Sequence, residues 1–197
     1  MTYWVEGRLD KRFDHICRLR DTEPALLEAL LEHVTKFATA YLKAQIEAGA
    51  DAVQIFDTWA SLLNAAEYQS LSARWIQEAA QVGRAAGVPV IVFVNGAAPH
   101  LPVLRGLDVE ALSVDARVDL AGARRVLGPG KALQGNLKPD ILLEGPEAAE
   151  RGVQRLFQNF PPGPGHVFNL GHGVLPGTTV EAVRRCIEAA KKYGTYG

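Results

Sequence analysis

From Pro24 to Ala48 apolar side chains return every three or four positions, as Leu26, Leu27, Leu30, Leu31, Val34, Phe37, Ala38, Tyr41 and Leu42. That period lays one stripe along a helix, and Gly49 closes it. The pattern then changes. AVQIFDTW, beginning at Ala52, opens as a short apolar run and ends in polar residues, as a buried strand does when it hands the chain to a loop. Helical spacing resumes from about Ala65 to Ala86 and stops at Gly87. Four more apolar runs follow, VPVIVFV (88–94), ALSVD (111–115), ALQGNL (132–137) and HVFNLGHG (166–173), each succeeded by helical sequence.

Five strand-helix units in which the strands are uninterrupted apolar runs predict an α/β fold with a parallel sheet covered by helices. The runs start at 52, 88, 111, 132 and 166, a mean repeat of (166 − 52)/4, about 28 residues, near the roughly 31 per unit of an eight-unit barrel. No GxGxxG follows the first strand, so a dinucleotide-binding open sheet is not supported. The expected architecture is a parallel (β/α) barrel of the TIM type, incomplete at about five units, with residues 1–197 forming one domain. Such an arc leaves two strand edges unpaired and an apolar inner face open, so it is expected to fold poorly alone.

Composition narrows the function classes. The 197 residues are 48% hydrophobic with a formal net charge of −1, and the densest basic clusters are pairs such as Arg124-Arg125 and Lys191-Lys192. These are too small for a nucleic-acid footprint. No apolar run is long enough to span a membrane, and MTYWVEGRLDKR lacks the order of an export signal, so the expected location is the cytoplasm. Cys17 and Cys186 lie on predicted helices and suggest neither a disulfide framework nor a metal knuckle. His15, His33, His100 and His166 have no second ligand at metal spacing and are expected to be solvated or packed, so no metal site is predicted. GxSxG is absent, which removes Ser61 and Ser113 as acyl nucleophiles. The PPGPG run at 161–165 predicts a stiff loop.

The polar residues gather at the strand ends: Asp57 and Thr58, Asn95, Asp115, Gln134 and Asn136, Asn169 and His172. In a parallel barrel those ends share one mouth, where chemistry is built. NLGHGVLPGT (169–178) sets His172 between Gly171 and Gly173, whose side chains' absence has no obvious packing purpose and would leave the backbone open to a ligand. An imidazole there can donate to a carboxylate or relay a proton. Asp57 and Asp115 each have two roles open, ligand contact or helix cap, with Asp119 a competing cap. Gln134 and Asn136 flank Gly135, which suits either a close ligand or a turn.

MTYWVEG, GADAVQIFDTWA, VPVIVFVNG, ALSVDARVDLAGARRVLG, ALQGNL and GHVFNLGHGVLPGTTVEAV together resemble the uroporphyrinogen decarboxylase family in order and spacing, across essentially the whole chain. The resemblance implies an eight-unit barrel, usually homodimeric, and a cofactor-independent carboxy-lyase of haem biosynthesis that turns the four acetates of uroporphyrinogen into methyls, giving coproporphyrinogen. By motif it implies substrate contacts at Tyr3, Thr58 and His172, with Asp57, Asp115, Gln134 and Asn136 as possible pocket-lining residues. The family's arginine-rich segment and catalytic aspartate lie upstream of MTYWVEG, so no catalytic carboxylate is assigned in this chain. The expectation is a carboxyl-terminal part of the barrel, from a split or a truncated gene, that lacks the first three units and is not active alone; a separate amino-terminal half as partner is left open.

Three positions depart from the family pattern. Lys138 stands where aspartate is common, Asn95 replaces a frequent lysine, and Ala116 replaces a common tryptophan. They leave room for a non-catalytic remnant that binds tetrapyrroles or serves as a dimerisation module. A related branch, the corrinoid-type methyltransferases, is zinc-dependent with cysteine and histidine at strand ends; neither cysteine here is so placed.

Overall fold

The computed structural model describes residues 1–7, 13–160 and 163–195. Five strands form one sheet, β1 (Val53–Asp57), β2 (Val90–Val94), β3 (Ala111–Val114), β4 (Ala132–Gln134) and β5 (His166–Val167). Each pairs in parallel with its sequence neighbour, in the order β1-β2-β3-β4-β5. Right-handed crossovers in a strictly sequential order put every connecting helix on the same face, whereas a doubly wound sheet reverses direction and covers both. The fold is therefore five units of a parallel (β/α) barrel.

Before β1 come α1 (Thr2–Glu6), α2 (Asp14–Thr22) and α3 (Pro24–Glu47). Glu6 is buried and accepts the Ile16 N–H at 2.9 Å, satisfying one of the orphan donors in the first turn of α2. After β1, α4 (Ala65–Tyr68) starts with a capping box in which Asn64 and Glu67 satisfy each other's backbone N–H groups. The chain then passes through one π-helical stretch, Gln69–Ala73, into α5 (Arg74–Ala86). The remaining helices, α6 (Leu101–Arg105), α7 (Leu120–Leu127), α8 (Pro146–Asn159) and α9 (Val180–Tyr193), each follow a strand. Asp119 caps α7 through the Ala121 and Gly122 N–H groups. No helix among the described residues is long and apolar enough to cross a membrane.

Alternate strand residues face the helices, and Val90, Val92, Val94, Leu112, Val114 and Leu133 on that face are almost wholly buried. At about 1.5–3 kcal/mol for a fully buried aliphatic side chain, this layer is a main source of stability. A second core joins α8 and α9 through Val153, Phe157, Ala182 and Cys186. The opposite, inner face carries Gln54, Phe56, Ile91, Phe93, Ser113 and Gln134 in lateral register. On it Phe93, Ser113 and Gln134 are buried, whereas Phe56 on the edge strand is 67% exposed.

Several strands are shorter than their apolar runs. Gly135 takes φ +136°, which ends β4 after Gln134 although ALQGNL continues to Leu137. Pairing resumes as a single bridge between Leu137 and Leu170, so the last run contributes two separate contacts to the sheet instead of one long strand. Of the PPGPG loop, Pro161 and Pro162 lie outside the described residues.

Candidate active site

Parallel strands end at one edge of a sheet, and side chains stitch that edge together here. From β1, the Thr58 carbonyl accepts the Asn95 side-chain N–H at 3.1 Å. Asn95 Oδ1 accepts from Arg117 Nη2 at 3.1 Å, and Arg117 Nε donates to Asp115 Oδ1 at 2.8 Å. Asp115 Oδ2 takes the N–H groups of Gly96 and Ala97 at 2.7 and 3.0 Å, and Oδ1 also takes the Arg117 N–H at 3.0 Å. Desolvation pushes the Asp115 carboxyl up, but these four hydrogen bonds outweigh it and hold its pKa below the usual value. Finally Asn136 Nδ2 donates to the Asp115 and Val118 carbonyls at 2.8 and 2.7 Å. The tips of β1 to β4 thus form one hydrogen-bonded rim. Asp115 and Asn136 act on its backbone, and capping is left to Asp119.

The fifth tip reaches the rim by packing. Gly171 donates its N–H to the Leu137 carbonyl at 2.8 Å and lies so close to the loop after β3 that an added Cβ would fall 2.3 Å from Ala116 N. Gly171 is therefore needed for close approach, which corrects the expectation that both glycines of the motif have no packing purpose. Gly173 has nothing within 4 Å of such an atom. His172, between them, is exposed. Gly135 is also a close-approach glycine, its added Cβ falling 3.0 Å from the Val114 carbonyl oxygen.

A cavity of about 360 Å³ lies at the other end of the rim, between β1, α3 and α5 and under α1 and α2. It is mostly apolar, with Tyr3, Asp57, Thr58 and Ser72 among its lining. Residues from both faces of β1, Ile55 and Phe56, contribute, so the cavity runs past the free edge of the sheet. Tyr3 meets Trp59 edge to face at 6.0 Å, which brings the MTYWVEG and IFDTW motifs together. Asp57 turns to the helix side of β1 and accepts a hydrogen bond from Ser72 Oγ at 2.5 Å. Desolvation raises its pKa above the ordinary carboxyl value, and the Ser72 hydrogen bond offsets only part of that.

Tyr3, Asp57 and Thr58 are thus assembled around the cavity, while Asp115, Gln134, Asn136 and His172 are not among its lining. Gln134 lies on the inner face, where it donates to Ser113 Oγ at 3.0 Å and to Gln54 Oε1 at 3.2 Å. Of the departures, Lys138 forms an exposed pair with Asp140 at 2.9 Å, and the backbone of Ala116 is what Gly171 packs against. His100 is buried, stacked on Tyr68 at 4.2 Å, and its Nε2 lies 3.1 Å from the Ala60 carbonyl. His166 sits against Phe157 and Phe160 with Nε2 2.8 Å from the Gly135 carbonyl, and burial pushes its pKa down. Among the described residues no group of three or more histidine, cysteine, aspartate and glutamate side chains is placed to hold a metal ion. Sequence reasoning missed Ser72, which no pattern marks, and Arg117, which the Asp-x-Arg spacing at a strand end could have flagged.

Comparison with known proteins gives the family. The family model for uroporphyrinogen decarboxylase (URO-D) matches residues 1–193. Uroporphyrinogen decarboxylases of Alcanivorax borkumensis and Escherichia coli are 38% and 40% identical to this chain, each alignment covering 95% of it. The same alignments cover 54% and 56% of those proteins, so the chain spans about half the length of the curated relatives it matches. A solved structure of a methyltransferase from Methanosarcina mazei matches with TM-score 0.80 and 21% identity over 98% of this chain and 57% of that one, which establishes the shared fold. With its motifs gathered on one rim and a family match running through both ends of the sheet, the chain belongs to the uroporphyrinogen decarboxylase family.

Proposed function

We propose that this chain is the carboxyl-terminal five units of a uroporphyrinogen decarboxylase, acting on uroporphyrinogen III in the cytoplasm once the remaining barrel units are in place. The observation that carries the reading is the single stitched rim, which joins the IFDTW, SVD, QGN and NLGHG motifs at one edge. The substrate is a flexible macrocycle with eight carboxylates, and a rim of hydroxyl, amide, guanidinium and imidazole donors above apolar walls suits it. Tyr3, Thr58 and His172 are the proposed substrate contacts, and Phe56 on the inner face supplies apolar wall.

Decarboxylation requires a place for the electron pair of the breaking bond. Protonation of a pyrrole carbon makes a cation that accepts the pair as carbon dioxide leaves, and a fixed carboxylate stabilises that cation. Neither Asp57 nor Asp115 is placed to stabilise it, because Asp57 faces the helices with Ser72 and Asp115 has both oxygens saturated by N–H donors. The family resemblance puts that carboxylate in the segment that completes the barrel. The cavity beside the free edge of β1 supports this, because α3 precedes β1 and in a right-handed βαβ unit covers the preceding strand as well. Self-association as a homodimer is part of the same proposal. A remnant that binds tetrapyrrole without turnover is the competing reading.

Anaerobic incubation of the chain with uroporphyrinogen III, with and without the amino-terminal half of a family member ending before MTYWVEG, tests this. Coproporphyrinogen is expected only when both polypeptides are present. Turnover by the chain alone refutes the assignment of the carboxylate elsewhere, and binding with no product from the pair favours the remnant.

A further inference from the structure

Arg117 is a rim residue whose cation is both fixed and open. Its Nε donates to Asp115 and its Nη2 to Asn95, which in turn holds the Thr58 carbonyl. A guanidinium has five N–H donors, so three have no partner among the described residues. The Asp115 side chain is only 5% exposed, whereas that of Arg117 is 68% exposed. Asp115 anchors the stem and the fork stands outward in one orientation, so part of the ordering entropy of a long side chain is already lost before any ligand arrives.

The neighbourhood adds a second group. Ala116, immediately before Arg117, is the residue against which Gly171 packs, and His172 follows Gly171. Arg117 and His172 each follow one member of this backbone contact, so the contact brings their main chains side by side at the rim. Asn95, one of the positions that differ from the family pattern, orients the fork by accepting from Nη2.

The geometry points to Arg117 as a carboxylate-docking residue of the rim, which with His172 receives a side-chain carboxylate of the ligand in a planar, two-donor contact. This rests on the tetrapyrrole reading for the identity of the ligand, while the carboxylate chemistry stands on the geometry alone. No bond is made or broken in it; Arg117 sets orientation and specificity.

The test titrates the full chain anaerobically with uroporphyrinogen III and, separately, with benzenehexacarboxylate, a polycarboxylate that is no tetrapyrrole. Wild type is compared with Arg117→Gln and Arg117→Lys, and thermal melting is followed in parallel. Charge-assisted hydrogen bonds of this kind imply about tenfold weaker binding of both ligands by Arg117→Gln, with a shallower salt dependence. Arg117→Lys is expected to keep the salt dependence and recover only part of the affinity. Equal uroporphyrinogen binding by wild type and Arg117→Gln overturns the role of Arg117 and leaves the tetrapyrrole reading standing. Arg117-dependent binding of benzenehexacarboxylate with no binding of uroporphyrinogen supports the docking role and overturns the tetrapyrrole ligand. A loss of melting temperature in Arg117→Gln with unchanged affinities overturns the docking role and makes the residue a structural partner of Asp115.

Discussion

Replacing Gly171 by alanine puts the packing of the NLGHG loop to a quantitative test. The added Cβ would meet Ala116 N at 2.3 Å and Ala116 Cα and Cβ at 2.7 Å. These are backbone atoms and a methyl group with no rotamer to yield, so the loop itself must retreat by about 1 Å to regain ordinary contact. That retreat stretches the 2.8 Å hydrogen bond from Gly171 N–H to the Leu137 carbonyl and pulls on the bridge between Leu137 and Leu170. Overpacking of this kind costs about 1–3 kcal/mol, and a weakened hydrogen bond adds roughly 0.5–1.5 kcal/mol. For a domain of this size a net loss near 2 kcal/mol lowers the melting temperature by about 4–8 °C. Gly173→Ala is the control, since its Cβ would enter open space, and its cost should stay within about 0.5 kcal/mol. Circular-dichroism melts of both variants, with amide exchange at Gly171, give the answer. If Gly171→Ala melts with Gly173→Ala and its amide stays protected, the close approach to Ala116 is wrong.

Two further substitutions probe the edge strand. Burial raises the Asp57 pKa above its ordinary 3.8, so the native state holds that proton more tightly than the unfolded chain does; stability from this group is present at low pH and is lost as pH rises through the native value. Asp57→Asn, which keeps an acceptor for Ser72, should therefore melt higher than wild type at pH 7–8, with the difference shrinking toward pH 4; a difference constant across that range refutes the raised pKa. Phe56 is 67% exposed on the inner face, in contact with Phe93 at 5.8 Å, so Phe56→Ser should reduce self-association in sedimentation velocity while changing stability by less than about 1 kcal/mol. A loss of several kcal/mol would mean that the ring is buried by something other than this chain's own residues.

The five units and their helices were legible in the sequence because period and punctuation depend on neighbours along the chain. The apolar period from Leu26 to Leu42 became α3, although Leu26, Phe37 and Tyr41 of that stripe are exposed, and Gly87 closes α5 in a left-handed conformation, as its place after Ala86 predicts. Strand ends were less legible, since the stop in ALQGNL depends on the φ of Gly135 and the two-part contact of the last run depends on which partner each residue finds. At the site, the sequence placed Thr58, Asp115 and His172 at strand tips but not their duties. Asp115 is saturated by N–H groups from the loop after β2, 18 and 19 residues away in sequence. The π-helical stretch that brings Ser72 to Asp57 carries no pattern at all.

The alternation within β2 bears on how the sheet is completed. In VIVFV, Val90, Val92 and Val94 face the helices and are sealed by this chain, which accounts for three apolar residues in five. Ile91 and Phe93 face the other way, together with Phe56 across the strand pair. A sheet with one face meant for water alternates apolar with polar residues, whereas one buried on both faces is apolar throughout. β2 follows the second rule while only one of its faces has a helical cover. The first strand shows the same conflict, with Gln54 satisfied by Gln134 inside the arc but Phe56 left open one register step further on. The inner residues of both strands are therefore suited to a face that is buried, as Phe93 already is, and not to one open to water.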